Sequence, residues 1–360
     1  MYFYSFVVLQ ILLCMRKLLV LLLSFVLVIV STDESLAQFN RKGIKKNNKR
    51  IASFRGKKNT FSKNKYNALG FSLSALNYYG DIAPKPQRVS TDISFTRPAI
   101  GVSFMHRFGP RYSLIGQFMF GTLSGSDTKS ASPTEESGKY RYLRNLSFRN
   151  RIKELSAVAY FDLFENQSTY ISRVKWTPYV YLGVAGFLSN PEAQAPATDL
   201  NGTPLPEAGN WVKLRPLGTE GQYSALDPTD VNSGIKPYKT VQVAVPFGIG
   251  ARFRLNEVMD LWADIGFRYT FTDYLDDVSQ NYVNLDKLNN ELARSLSYRT
   301  NELGPPTNPY TYNGYTVQAG YGSEQKDNLR GSKDDKDIYM VTSFRLTYIL
   351  GATFHKAKFR

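Results

Sequence analysis

The sequence predicts an all-β protein, an eight-stranded antiparallel transmembrane β-barrel with long extracellular loops and short periplasmic turns. Three observations lead there. About eight segments, at 67–79, 94–108, 112–123, 149–163, 177–189, 241–255, 260–274 and 338–350, place an apolar residue at every second position, the period of a strand with one apolar face. Their connections are expected to alternate, long after the first, third, fifth and seventh segments and short after the second, fourth and sixth. An even number of strands of about ten residues, with long loops at one end and tight turns at the other, is the pattern of a membrane barrel. Beyond the N-terminal region no segment is apolar enough for a membrane helix, so any crossing is by strands.

The first 37 residues read as a signal peptide. Met1–Cys14 is apolar without a positive charge, Met15-Arg16-Lys17 then opens a second apolar run from Leu18 to Val30, and Ser35-Leu36-Ala37 is a small-residue cleavage site. Cleavage is expected before Gln38, with Met15 as the true start. A single membrane anchor over both runs is the alternative, since the stretch exceeds about 20 residues; Arg16 and Lys17 in its middle argue against it. The one cysteine, Cys14, lies in this segment. The mature chain is therefore expected to have no disulfide, no Cys-ligated metal and no thiol nucleophile.

The formal net charge of +15 is concentrated in one place. Residues 38–66 hold eleven Lys and Arg and no Asp or Glu, which leaves the remainder at +4. This basic periplasmic arm is expected to be disordered alone. Export removes nucleic acid as its partner and leaves anionic lipid headgroups or an acidic periplasmic protein; a solvated leader with no partner is the other reading.

After the arm comes the barrel, expected over 67–350. On length alone about 320 mature residues could form two soluble domains, but 24 Tyr and 23 Phe in 360 residues, with 21% charged, argue for a barrel. The sixth segment puts Val241, Val243, Val245, Phe247, Ile249, Ala251, Phe253 and Leu255 on one face and Gln242, Ala244, Pro246, Gly248, Gly250, Arg252 and Arg254 on the other. The seventh repeats it, with Leu261, Ala263, Ile265, Phe267, Tyr269 and Phe271 against Trp262, Asp264, Gly266, Arg268, Thr270 and Thr272. A soluble lipocalin-like barrel would turn its apolar face inward. The Gly, Arg, Asp and Thr of the polar face suit a narrow lumen instead, with Leu, Val and Phe outward to lipid. Arg107–Tyr112 and Arg254–Asp260 are expected turns, and 124–148, 190–240 and 275–337 large outer loops. Within the last, Val283, Leu285, Leu288, Leu292 and Leu296 fall at helical spacing over 282–297, a lid or surface patch. The chain would end in a basic periplasmic tail, 351–360.

Charges on the expected lumen face are Arg107, Glu154, Asp162, Arg252, Arg254, Asp264, Arg268 and Arg345. Eight strands enclose a lumen that side chains fill, and buried charge must be paired. The expectation is an ion-pair plug, Glu154 and Asp264 against Arg252, Arg268 and Arg345; the alternative is an acidic-ligand site or a small gated pore. Catalysis is not expected. His106 and His355 have no metal-ligand spacing, and neither a phosphate-cradling glycine loop nor a nucleophile elbow appears. The cluster Asp273-Tyr274-Leu275-Asp276-Asp277 offers a carboxylate pair or a calcium site in principle, but its place at the end of the seventh strand predicts a cap that begins a loop. No cofactor, metal or small-molecule substrate is expected.

Several motifs carry a family resemblance: Leu76-Asn77-Tyr78-Tyr79-Gly80-Asp81, Ile93-Ser94-Phe95-Thr96-Arg97-Pro98, Arg107-Phe108-Gly109-Pro110-Arg111-Tyr112, the run Phe267 to Ser279, and Thr347-Tyr348-Ile349-Leu350-Gly351. Over roughly 67–360 the chain resembles the PorG-type outer-membrane barrels of Bacteroidota. The resemblance implies an integral outer-membrane component of the type IX (Por) secretion system that tethers a periplasmic ring, with both termini periplasmic and no catalytic residues. Under it the arm, the turns and the tail would present a positive face to the ring. The contact candidates are Lys45, Lys46, Lys49, Arg50, Lys57, Lys58, Lys356, Lys358 and Arg360. A surface binder or adhesin acting through its tyrosine-rich loops, and a narrow pore, are the competing expectations.

Overall fold

Two-residue alternation of burial runs through most of each long strand and is lost where several of them approach the long loops. In β3 (Tyr112–Ser126), for example, Leu114, Phe118 and Phe120 face out while Ile115, Gln117 and Met119 are buried. The structure is a computed structural model that describes residues 65–82, 95–166 and 173–350. The expected signal peptide, nearly all of the basic arm, the tail 351–360 and all nine basic contact candidates lie outside the described residues.

Eight strands form the wall: β1 (Tyr66–Tyr79), β2 (Arg97–Arg107), β3, β4 (Ser147–Asp162), β5 (Trp176–Leu188), β8 (Val241–Arg254), β9 (Met259–Thr270) and β12 (Ile338–Leu350). Each pairs antiparallel with the next, and β12 pairs with β1, so the barrel is closed. Following paired residues round the wall leads from Asn67 through His106, Leu114, Ala159, Leu182, Phe247, Phe267 and Met340 to Asn77. The register thus climbs ten residues per circuit. With the usual strand rise and spacing, that shear tilts the strands by about 40° and sets a backbone radius of about 8 Å.

The wall is apolar outside, and inside it mixes charged and polar side chains with aromatic and aliphatic ones. Leu69, Phe71, Leu73, Val102, Leu155, Leu182, Val184, Ile249, Ile265 and Phe344 all stand open on the outer face. A contiguous exposed apolar belt of this kind is unstable in water and matched to hydrocarbon. Phe108, Tyr112, Phe164 and Trp176 ring the tight-turn end, as aromatic residues do at a membrane interface. Among the described residues no helix is long and apolar enough to cross a membrane.

Connections at that end confirm the β2–β3 and β8–β9 turns. The first closes with the Phe108 amide donating to the Tyr112 carbonyl, 3.0 Å; in the second the Asn256 carboxamide oxygen accepts from Val258 and Met259, 2.9 and 2.8 Å. The connection after β4 departs from the expected alternation, because thirteen residues separate Asp162 from Trp176. That length returns Arg173 to the barrel floor, where its guanidinium holds Asp260 at 2.7 Å and the carbonyls of Asn256, Glu257 and Met259.

At the other end the long connections fold into a cap. It contains α1 (Asp127–Ser130), α2 (Glu136–Arg144), β6 (Pro191–Gln194), β7 (Trp211–Lys213), α3 (Glu291–Ser297) and the hairpin β10 (Pro309–Tyr312) and β11 (Tyr315–Gln318). β3 and β4 outrun their expected limits, so that β4 continues above the barrel and pairs with β6, which pairs with β7. The helix expected over 282–297 is only α3, preceded by one 3-10 turn, Leu285–Lys287. Asn290 breaks the run: its side chain accepts from the Ala293 amide at 2.7 Å and starts α3 afresh. The apolar residues at helical spacing divide between two clusters, Leu292 and Leu296 packing with Ala193 and Leu214. Val283, Leu285 and Leu288 join Tyr282, Tyr298, Val317 and Tyr321 in a core of the cap's own, against Leu143, Leu200, Leu217 and Leu226 from the other loops.

Candidate functional site

Three places gather the chemistry of the described residues: the lumen, the junction between lumen and cap, and the outer rim. The lumen is filled in layers. Nearest the tight turns, Asp162 on β4 accepts from Arg107 at 2.7 Å and from Arg252 at 2.6 Å, all three buried. Arg107 also donates to the Pro110 carbonyl, and the Arg252 guanidinium lies 4.9 Å from the Trp262 ring. In the middle layer Tyr160, Tyr179, Tyr181 and Trp262 cluster with centroids 5.0–6.4 Å apart, Tyr160 stacked on Tyr181 and edge-on to Tyr179 and Trp262. Asp264 there accepts from the Tyr179 hydroxyl at 3.1 Å, and Arg345 donates to Gln117 at 2.7 Å and to Tyr160 at 3.2 Å. Above it Glu154 accepts from Arg268 at 3.3 Å and from the Tyr339 hydroxyl at 2.6 Å.

All five residues expected to form the plug are therefore in the lumen, but the pairing differs. Glu154 and Arg268 meet. Arg252 instead takes Asp162, and Asp264 is held by tyrosine hydroxyls. Register gives the reason. Arg252 faces Thr177 on β5, a small buried residue over which it reaches β4. Asp264 faces Gly250, which in turn faces Tyr179, so the ring crosses the glycine to the carboxylate. Gly248 and Gly266 likewise make room for Tyr181, whose hydroxyl occupies the space a side chain would need. The glycines of the polar face are thus sockets for tyrosine rings.

At the junction, Leu275 and Val278 close the barrel mouth against Tyr78, Phe148, Phe187 and Tyr339. The Tyr78 hydroxyl lies 2.8 Å from the Asp276 carboxylate and 2.7 Å from that of Asp337. One hydroxyl proton serves only one of these contacts, so a carboxyl proton must serve the other. Burial agrees, because it pushes Asp276 and Asp337 well above the usual carboxylate range and each raises its neighbours. Burial also lifts Asp81 to about 7, against the pull of Arg144, and Asp273 to about 8. Asp277 rises to about 6, held down by Arg330. The backbone amides of Leu275, Val278 and Ile82 donate to Asp337 and Asp276, so the acidic cluster caps the strand end and starts the loop.

Two further ion pairs tie the cap together. Arg330 meets Glu220 at 2.9 Å, and Glu220 also accepts from the amides of Ser279 and Gln280. Arg144 grips Asp127 with two nitrogens at 2.8 and 2.9 Å and reaches the carbonyls of Asp81 and Arg330. Sequence reasoning missed both: Glu220 and Arg330 lie in different loops, and Asp127 and Arg144, seventeen residues apart in the β3–β4 connection, have no periodic spacing that joins them. Among the described residues no group of three or more His, Cys, Asp or Glu is arranged to hold a metal. His106 sits on the barrel exterior beside Asn67, 2.6 Å away.

A family model described as a domain of unknown function (DUF6089) matches residues 54–196. No curated protein matches the chain. Among solved structures, the attachment invasion locus protein Ail of Yersinia pestis, in complex with the heparin analogue sucrose octasulfate, is 7% identical, with 79% of this chain and 99% of that chain covered and a TM-score of 0.32. Neisserial surface protein A is 9% identical over 78% and 96% of the two chains, TM-score 0.33. A major outer membrane protein of Thermus thermophilus is 12% identical over 79% and 99%, TM-score 0.31.

Proposed function

We propose that this chain is a non-enzymatic integral outer-membrane barrel that acts as a scaffold of the type IX secretion system, tethering a periplasmic ring to the membrane. The observation that carries the reading is a closed lumen inside a lipid-facing wall. Trp262, Tyr179 and Arg345 in the middle layer, Tyr339 above them and Leu275 at the mouth are almost wholly buried, so the barrel fixes a position in the bilayer without passing a solute. The wall begins at Tyr66 and ends at Leu350, which pairs with the adjoining Asn67 at the tight-turn rim. The arm before and the tail after the barrel therefore leave from that one rim, taken as periplasmic. The resemblance of the β1, β2–β3 and β9 motifs to PorG-type barrels supplies the secretion context.

In-cell crosslinking of a tagged copy, followed by purification from outer membranes, tests it. Ring components should be recovered, and lost when Lys45, Lys46, Lys49, Arg50, Lys57, Lys58, Lys356, Lys358 and Arg360 are neutralised while the barrel stays inserted. An inserted barrel with no periplasmic partner refutes the scaffold. A second reading, a surface-facing binder, is favoured by the cap: its apolar core makes it a defined surface rather than loose loops. Deleting the hairpin Pro309–Gln318 would abolish function in that case and be tolerated by the scaffold.

A further inference from the structure

β4 carries an abrupt change of chemistry on its outward face. Leu155 is among the most exposed apolar residues of the belt. The next outward positions toward the cap are Lys153, Arg151 and Arg149. They span about 13 Å at the usual strand rise. Lys153 is flanked by Phe120 on β3 and Leu188 on β5, both exposed and apolar. It therefore stands at the upper edge of the belt. β6 and β7 continue this face sideways, since Arg149 faces Glu192, which faces Lys213. Exposed Trp211 lies beneath the Arg149 guanidinium, 3.9 Å from ring centroid to carbon.

Charge compensation here is partial. Glu192 pairs with Arg149 at 2.8 Å. Arg151, Lys153 and Lys213 are exposed, and no acidic side chain among the described residues pairs with them. Two other surface cations are paired: Arg111 at the tight-turn rim meets Glu165 at 3.9 Å, and Lys287 on the cap meets Asp227 and Asp230.

We propose that the outward face of β4 and β7, formed by Arg149, Arg151, Lys153, Lys213 and Trp211, binds the phosphate groups of an anionic lipid in the leaflet at the cap-side rim. Hydrocarbon ends where Leu155 gives way to Lys153, so these cations stand at headgroup depth. Guanidinium and ammonium groups there donate to phosphate oxygens. The indole of Trp211 occupies the interface that this ring prefers, and it holds the Arg149 guanidinium in place by cation–π contact. A lipid whose acyl chains lie on Leu155, Phe120 and Leu188 brings its phosphate to the cationic row without leaving the bilayer. The site rests on the membrane reading above and adds a ligand to it.

The test is binding of bis-phosphorylated lipid A, and of the same glycolipid with its phosphates removed, to the purified full-length barrel in neutral detergent. Each cation near a charged membrane surface is worth about fivefold in affinity, so R151Q/K153Q/K213Q should bind the phosphorylated lipid about a hundredfold more weakly than wild type. A variant with the same charge loss at exposed cap positions, K236Q/K326Q/K333Q, should stay within about twofold. Equal affinity for the phosphate-free lipid, or equal loss in both variants, overturns the site. Alkaline carbonate extraction of cell envelopes is read in parallel on all three proteins. Wild type found in the soluble fraction would refute the membrane reading itself, and both variants retained in the membrane show that any lost lipid binding is not lost insertion.

Discussion

Replacing Asp162 by Asn removes the single carboxylate that serves two buried guanidiniums. Arg107 keeps the Pro110 carbonyl at 2.5 Å and a long contact with Ser113, 3.4 Å. Arg252 keeps no carboxylate in direct contact, only the face of Trp262, worth about 1–2 kcal/mol when desolvated, and the more distant attraction of Asp260 and Tyr66. Breaking a buried pair by removing one partner costs about 3–5 kcal/mol, mostly because a charge is left unpaired in a low dielectric. With one guanidinium partly supported and the other almost bare, D162N should destabilise the barrel by about 4 kcal/mol. Urea unfolding of protein refolded into lipid vesicles reads this through Trp262, whose ring lies 4.9 Å from the Arg252 guanidinium. At a slope of about 2 kcal/mol per molar, the midpoint should fall by about 2 M. Adding Arg252→Met should return roughly half, because the orphaned charge goes with it. A midpoint change under about 0.5 M for D162N, or no recovery in the double variant, would refute the account of the lumen as an ion-paired plug.

Tyrosine sockets make a contrasting prediction. Gly266→Val places a side chain where the Tyr181 hydroxyl sits and should cost about 1–3 kcal/mol, whereas Gly116→Ala, outward with nothing within 4 Å, should be neutral or stabilising by up to about 1 kcal/mol in the same titration. For the junction, Asp81, Asp273 and Asp277 bind protons more tightly folded than unfolded, with folded values of about 7, 8 and 6. Ionisation then works against the closed cap, which should be most stable near pH 4 and loosen progressively until about pH 8. Amide exchange across 275–283 should accordingly give a smaller opening free energy at pH 8 than at pH 5, and an unchanged or larger one contradicts the shared-proton junction. Purified protein in planar bilayers should show no unitary conductance steps, and reproducible steps would mean that the lumen layers do not seal.

Strands were legible because a barrel wall has one apolar face, and Val241 to Leu255 displays that period without any knowledge of partners. The lumen was legible only as an inventory. Arg252 and Asp162 are 90 residues apart and Glu154 and Arg268 114 apart. Which of them meet depends on a shear of ten set by backbone register, and on small residues such as Thr177 and Gly250 that let long side chains pass. The thirteen-residue return after β4 reads as short in the sequence because Arg173, which explains its length, has its partner on β9. The cap was hidden for a related reason. Its core draws Leu143, Leu200, Leu226 and Tyr282 from three loops, none periodic enough alone to announce a buried face.

Lipid exposure of the belt is the claim on which the rest depends, and alternating accessibility along β5 measures it directly. Single cysteines at positions 179–186, in a chain whose only native cysteine is Cys14, would carry nitroxide labels in the barrel reconstituted into vesicles. Collision with oxygen, which partitions into hydrocarbon, should be high at Val180, Leu182 and Val184 and low at Tyr179, Tyr181 and Ala185, while a water-soluble nickel complex reaches none of the outward three. Nickel access equal at outward and inward positions, or high at Leu182, would place that face in water and contradict the barrel as a membrane-spanning wall.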